Sequence, residues 1–407
     1  MIVLDNFYDV RDLENIVDSI TDGMNEQLAY VVAALLGCIA ILTFVGLSSL
    51  ANIWIERRLI ARMQVRLGPN RVGPMGLLQP VADAIKLIQK EVLVPRAGDR
   101  LTFLIAPLLI FIPPMFTFGV LPFGENMAFV DLNVAVLFVI AFTSITTLLI
   151  FMAAWSSNNK YAVFGAMRVI AMLVSYEIPL VLAALGPVIF ANSMSLQDIV
   201  EFQKDNWTLF LLIQPLAFVI FFLSATAEIN RSPFDLAEAE SEIVAGYLTE
   251  FSGMKWGLFY AVELVNALTA AGIAATLFLG GWWLFGLEEW VPGWVILIGK
   301  IYLFYFVFMW FRGTLPRLRM DQLMSFAWKY LLPLALLNVL VAGLQTTLWM
   351  RNDWDTAIAF PIFGLINAVL IGLLALAFGR FLGESMAEVP RQARLGTRLG
   401  EIYRSSA

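Results

Sequence analysis

Residues 168–190 read RVIAMLVSYEIPLVLAALGPVIF. After Arg168 the run carries one formally charged side chain, Glu177. At about 1.5 Å per residue a helix of this length spans roughly 34 Å. That is enough to cross a hydrocarbon core about 30 Å thick. Backbone in lipid must answer its own hydrogen bonds, so the run reads as a transmembrane helix. Glu177 lies about 13 Å in from Arg168, near the middle of the core. An ionisable residue at that depth marks function. The plainer reading is a neutral carboxyl that bonds two helices together. Pro179 cannot donate to the carbonyl of Ser175, which loosens the helix beside Glu177.

Runs of this kind recur along the whole chain. They lie near 28–55, 101–121, 133–155, 168–190, 207–227, 258–285, 294–311, 330–349 and 357–379, giving about nine spans. The 407 residues are 60% hydrophobic and 14% charged, where soluble domains average roughly 25% charged. The runs are continuous, not alternating, which excludes a β-barrel. The predicted fold is therefore all-α, a polytopic integral membrane helical bundle. Between the first two spans, Leu77 to Val92 is amphipathic. Leu78, Val81, Ile85, Ile88 and Val92 form one stripe, and Gln79, Asp83, Lys86 and Lys90 the opposite face. Pro80 suits its first turn, and the helix is predicted to lie in the membrane interface. Residues 1–27 form an acidic extension, with Arg11 their one basic residue. A signal peptide would begin with positive charge, so that reading is rejected. The body is 28–349, with about eight spans, and 350–407 adds a further span and a basic tail.

Lys and Arg give the orientation. With the loop after the first span in the cytoplasm, that side carries all but four of the 26 Lys and Arg residues. The exceptions are Arg11, Lys204, Lys300 and Arg351. The N-terminus is predicted outside and the C-terminus inside, in a cell (inner) membrane. The cytoplasmic loops 57–100, 228–257 and 312–329 are long and charged, so function is expected on that face.

Missing residues narrow the chemistry. The sequence has no histidine and one cysteine, Cys38. Haem, Fe–S and structural zinc sites draw their ligands mainly from those two residue types. Ser–His and Cys–His nucleophilic catalysis is excluded for the same reason. No metal site and no redox centre is expected in this chain, so any electrons must be held elsewhere. An isoelectric point near 4.9 argues against nucleic acid.

Carboxylates are the remaining candidates. The loop after the fifth span reads Glu228-Ile229-Asn230-Arg231-Ser232-Pro233-Phe234-Asp235-Leu236-Ala237-Glu238-Ala239-Glu240-Ser241-Glu242. A solvated acidic loop is the simplest reading. Interleaved Phe234, Leu236, Ile243 and Tyr247 speak against it. Glu238 and Glu242 share a helix face. Neighbouring carboxylates and desolvation raise pKa values, which suits a proton relay. Glu263 sits in the sixth span with Asn266 beside it, so Glu177, Glu228 and Glu263 can form a line across the inner half of the membrane. The loop from Arg312 to Met324 holds Arg312, Arg317, Arg319 and Asp321. It is either a positive anchor or a surface that pairs with the acidic loop or a partner. The first inside loop opens with Glu56-Arg57-Arg58, and Gly68-Pro69 and Gly73-Pro74 force tight turns in it.

These segments resemble a known family. Glu56 to Glu91, Ser175-Tyr176-Glu177, Glu228 to Ser252 and Arg312 to Met324 resemble the signature stretches of the H-subunit family of complex I (NADH–quinone oxidoreductase), called NADH dehydrogenase subunit 1 in mitochondria. The resemblance runs from about residue 28 to 350. It implies a membrane subunit that floors a quinone chamber and binds no cofactor of its own. Fe–S clusters and flavin are then expected in partner subunits, and quinone is the substrate. Arg58, Arg66, Phe234 and Asp235 would line or edge the chamber. Glu177, Glu228, Glu238, Glu240, Glu242 and Glu263 would couple quinone chemistry to proton translocation. Implied partners are peripheral-arm Fe–S subunits at the cytoplasmic loops, antiporter-like and small membrane subunits, and membrane lipid. Ile229, Met320 and Arg58 stand where the family often has Thr, Tyr and Lys. Related subunits of membrane-bound hydrogenases and ferredoxin-linked complexes share the pattern. A secondary transporter would need internal repeats and a matched pair of broken helices. The sequence shows no such pair. A scaffold without chemistry is the third alternative.

Overall fold

The computed structural model describes residues 26–125, 127–235, 245–352 and 354–387. The described residues are helical apart from turns and one isolated bridge between Gly124 and Met127. Helix α1, Glu26–Met63, extends two turns beyond the apolar run and carries Glu56, Arg57 and Arg58 near its C-terminal end. The amphipathic segment forms α2, Gln79–Gln89. It is tied to α1 by an ion pair between Arg57 and Asp83 at 2.5 Å. Burial would raise the Asp83 carboxyl, but Arg57, Gln79 and Lys86 hold it below the ordinary aspartate value. Gly73 and Gly76, at φ 71° and 76°, take left-handed turns in the linking loop, where a side chain would add strain.

Two of the nine predicted spans are broken. The second divides into α3, Arg100–Leu109, and α4, Ile112–Gly119. Pro113 and Pro114 have no N–H to offer the carbonyls one turn back, so the helix cannot run through. The fifth divides into α8, Phe210–Ile213, and α9, Pro215–Glu228, with Gln214 between them in an extended-like turn. Pro215 is the cause here too. The sequence reading ran each of these spans through unbroken, and the two proline sites correct it. Proline alone did not signal them, because Pro179 and Pro187 sit inside an unbroken helix.

That helix is α6, Lys160–Ala191, preceded by α5, Ala135–Ser156. It is the axis of the bundle, packed on α5, on α9 and on α13, Leu332–Asn352. Between α6 and α8 lies the short surface helix α7, Leu196–Asp205, capped by the Ser195 hydroxyl. Helix α10, Met254–Leu279, is the most enclosed span, with 83% of its apolar window buried against 22% for α1. It ends at Gly280 (φ 70°). There the Lys300 ammonium donates to the carbonyls of Leu279 at 2.6 Å, Gly281 at 2.8 Å and Trp283 at 2.5 Å. A cation suits that pole of the helix dipole. Lys300 belongs to α11, Gly293–Thr314. Helix α12, Met320–Phe326, joins α13 through a π-helical turn at Ala327–Leu331. The chain then forms α14, Thr356–Ala387, against α8 and α9. Among the described residues seven spans are long and apolar enough to cross a membrane, and Pro215–Glu228 is a shorter apolar helix. This is a polytopic helical membrane protein.

Close backbone approach fixes the inner end of α6. A β-carbon on Gly165 would stand 2.7 Å from Cα and 2.9 Å from the carbonyl carbon of Gly246. Both neighbours are backbone and cannot swing aside. Gly165→Ala is therefore expected to cost about 1–3 kcal/mol, read as less folded chain recovered from membranes and an earlier thermal transition. A variant as stable as the parent would show that the contact does not constrain the fold.

Candidate functional site

The three long loops predicted on the inner face meet one another. Ser232 donates its hydroxyl to the carbonyl of Leu315 at 3.2 Å, and the Leu318 amide donates to the carbonyl of Pro233 at 3.1 Å. The Ser252 hydroxyl donates to the Glu91 carbonyl at 3.3 Å. Asn159 donates to Glu250 at 2.7 Å, joining the turn between α5 and α6 to the end of the acidic loop. Residues 312–324 thus pair with the start of the acidic loop, one of the two readings their sequence allowed.

Beneath these loops lies a buried ion cluster. The Arg231 side chain is fully buried (0% exposed) and the Glu56 side chain nearly so, at 3%. Arg231 Nη2 donates to Glu56 Oε2 at 3.1 Å, and its Nε lies 3.5 Å from Glu263 Oε1 on α10. Arg312 of α11 donates to the other Glu56 oxygen. Tyr305 donates its hydroxyl to Glu56 Oε2 at 3.2 Å, and its ring stacks under the Arg231 guanidinium at 5.3 Å. Burial opposes the charge on Arg231. The carboxylate of Glu56, then Tyr305 and Glu263, more than reverse that, and its pKa sits above the ordinary arginine value. Two carboxylates and two guanidinium groups balance here, with Arg231 and Glu56 buried and Glu263 and Arg312 partly exposed.

A cavity opens beside this cluster. Its charged wall is Glu228, Arg231, Asp235, Glu263 and Arg312, with Asn266 among them. Thr143, Thr146, Thr147 and Thr269 add hydroxyls. The remainder is largely aliphatic and aromatic, including Trp256, Tyr260 and the break residues Ile110, Pro113 and Pro114. Glu228 feels the charge of Glu177 and lies within hydrogen-bond reach of Thr143. Ser144, the next residue on α5, donates to Glu177. A line therefore runs from Glu263 across the cavity to Glu228 and past two α5 hydroxyls to Glu177. Glu177, on α6, is half-buried and faces Ser144 of α5.

The other sequence candidates are placed differently. Phe234 is 2% exposed and packs edge-on against Tyr176 at 5.1 Å, while the Tyr176 hydroxyl donates to the Leu323 carbonyl at 3.0 Å. It wedges the acidic loop against α6 and does not line the cavity. Arg58 stacks on Trp54 at 5.0 Å, and Arg66 is exposed, with its Nε on Gln64 at 2.7 Å. Neither lines the cavity. Glu238, Glu240 and Glu242 lie outside the described residues, as do 1–25 and 388–407. Among the described residues no group of His, Cys, Asp and Glu is arranged to hold a metal ion. Sequence reading missed Glu56, Arg231, Tyr305 and Thr143 as site residues. A carboxylate closing an apolar run was a usable signal for Glu56. Arg231, the lone cation within Glu228 to Glu242, was a signal too.

Comparison with known proteins supplies an independent finding. The model of the NADH dehydrogenase family matches residues 36–343. The chain is 49% identical over 340 residues to the NADH-quinone oxidoreductase H subunit of Dehalococcoides mccartyi (strain CBDB1), covering 83% of this chain and 92% of that protein. It is 45% identical over 325 residues to the protein of that name from Carboxydothermus hydrogenoformans, covering 79% and 91%. It is 46% identical over 332 residues to the one from Geobacillus kaustophilus, covering 81% and 98%.

Removing one member of a buried ion pair leaves the other uncompensated, at a cost of about 3–5 kcal/mol. Glu56→Gln is expected to lose that much, measured as loss of intact protein from heated membranes. Combining it with Arg231→Gln should recover a large part of the loss. If the double variant is worse than the single by the full effect of Arg231→Gln, the two residues are not coupled.

Proposed function

This chain belongs to the NADH dehydrogenase family of NADH-quinone oxidoreductase H subunits, and from that membership we propose that it forms the membrane part of a quinone chamber and couples quinone reduction to proton translocation. The observation that carries the reading is the shared cavity. Glu228, Asp235 and Glu263 face one space with Arg231 and Arg312, and that space is otherwise mainly apolar. A quinone needs this combination: an apolar channel for its tail, and donors and cations around a headgroup that gains negative charge on reduction.

In this reading the tail comes in from the membrane past α1, α2 and α10. The headgroup passes above the cluster toward an Fe–S centre in a peripheral subunit docked on the inner loops. Electrons come from that partner, since this sequence offers no histidine and a single cysteine. Reduction draws protons. Arg231 and Arg312 are held by Glu56 and cannot give theirs up, so the carboxylates that face the cavity must supply and regain them. Asp235, Glu263 and Glu228 form the relay, and Glu177 receives the change in charge across the α5 hydroxyls. Glu238, Glu240 and Glu242 belong to the same relay by family match. Arg58 and Arg66 edge the doorway from the membrane side and the docked arm. Phe234 holds the acidic loop against α6 below the headgroup.

Glu177 explains the need for membrane partners. A carboxylate that borders lipid near mid-membrane is costly. A small or antiporter-like subunit covering the α5–α6 face would enclose it and receive the coupled proton. The N-terminus outside and the C-terminus in the cytoplasm of the inner membrane follow from the Lys and Arg bias. The hydrogen bonds that gather the charged loops onto one face support it.

The test uses native membranes carrying Glu228→Gln. Inhibitor-sensitive NADH–quinone reductase activity is expected to fall roughly 100-fold, the scale of a lost proton-transfer group. NADH–ferricyanide activity, which bypasses the quinone site, is expected to persist. Unchanged quinone reductase activity would remove Glu228 from the relay, and loss of both activities would point to failed assembly.

A further inference from the structure

The break in the fifth span lies at the opposite end of α9 from Glu228, and its polar groups are not those of the cavity. Gln214 stands at the break, fully buried, and neither its amide oxygen nor its nitrogen has a partner within the protein. Helix α14 packs over this point. Its inner face presents Ala359, Phe360, Phe363 and Asn367, all 5% exposed or less, while Ile358, Leu365 and Val369 face outward at 60% or more. Gly364 lies so near the Leu212 carbonyl that a β-carbon there would collide with it. Asn367 donates to the carbonyl of Ile213 at 2.9 Å and reaches Gln345 Oε1 at 3.4 Å.

Two more amides stand on α13. Asn338 and Gln345 are seven residues apart, so they share a helix face, and they are 1% and 3% exposed. Asn338 Nδ2, Gln345 Nε2 and Asn367 Oδ1 also have no partner within the protein. At the break, Gln214, Gln345 and Asn367 thus leave both donors and acceptors unanswered. Each costs roughly 1–3 kcal/mol if left so. Water is the ligand that answers both kinds at once, usually through about three hydrogen bonds per molecule.

We propose that α14 is the lid of a buried water site built into the break of the fifth span, walled by Gln214, Gln345 and Asn367. The helix lies beyond residues 36–343, where the family model matches, so the site does not rest on the quinone reading. It gives the ninth span a task inside this chain. The lid seals a discontinuity that would otherwise expose backbone carbonyls to lipid, which a bilayer does not tolerate.

The first test is a density map of the assembled complex at a resolution that shows ordered water. Density within hydrogen-bonding distance of the Gln214 amide and of one further amide is expected. A dry seam there overturns the proposal. The second test measures heat inactivation of the quinone reductase in membranes. Asn367→Leu is expected to shorten the half-life about fivefold, the rate equivalent of one lost buried hydrogen bond. Asn367→Gln, which keeps an amide, and Leu365→Ala, on the lipid face, are expected to stay near the parent. A half-life for Asn367→Leu equal to the parent's, or equal damage from Asn367→Gln, overturns the lid.

Discussion

A guanidinium shut away from water has to be answered by charge, and the half of this protein that carries the charged loops is arranged around that requirement. Arg231 has no exposed side-chain surface, and the Glu56 carboxylate that faces it is almost as deeply buried. Desolvating such groups costs several kcal/mol per ion. The cost is offset only where partners stand close, and here they come from α1, α10 and α11 together. Meeting that demand pins Asn230 to Asp235 against three spans. It also sets the start of the acidic loop beneath residues 312–324.

The same cluster divides the ionisable groups into two kinds. Glu56 is held between two arginines and a tyrosine, so its charge is committed. Glu228 faces the cavity with another carboxylate, Glu177, as its electrostatic neighbour and a threonine hydroxyl near it. Like charges in a poorly solvated space disfavour joint ionisation. Glu56 is thereby locked into ion pairs, while Glu228 has a carboxylate and a hydroxyl for neighbours, though both are the same residue type.

The membrane accounts for the remaining devices. Every carbonyl released by a proline or a helix end must find a donor, because lipid offers none. Lys300 closes the end of α10, and Asn367 answers Ile213 at the break between α8 and α9. The break in the fifth span is thus matched by a polar side chain on a neighbouring helix.

Much of the fold was legible in the residue order. Apolar runs separated by charged loops located the spans, because burial in lipid is a local demand that each segment meets with its own composition. The amphipathic stripe of Leu78, Val81, Ile85 and Ile88 located α2 for the same reason. Residue type alone marked Glu177, Glu228 and Glu263 as misplaced in an apolar setting. What no local reading could decide was pairing. Glu56 meets Arg231 175 residues later and Arg312 256 residues later, and Gln345 reaches Asn367 only because two helices fold back together. Nor did Pro113 and Pro215 announce breaks while Pro179 announced none, since the outcome depends on what the facing helix supplies. The sequence by itself determined that this chain lies in a membrane and carries buried carboxylates. The tertiary structure decided which of them are neutralised by arginine and which face the cavity, because charge compensation acts across space and leaves no periodic trace along the chain.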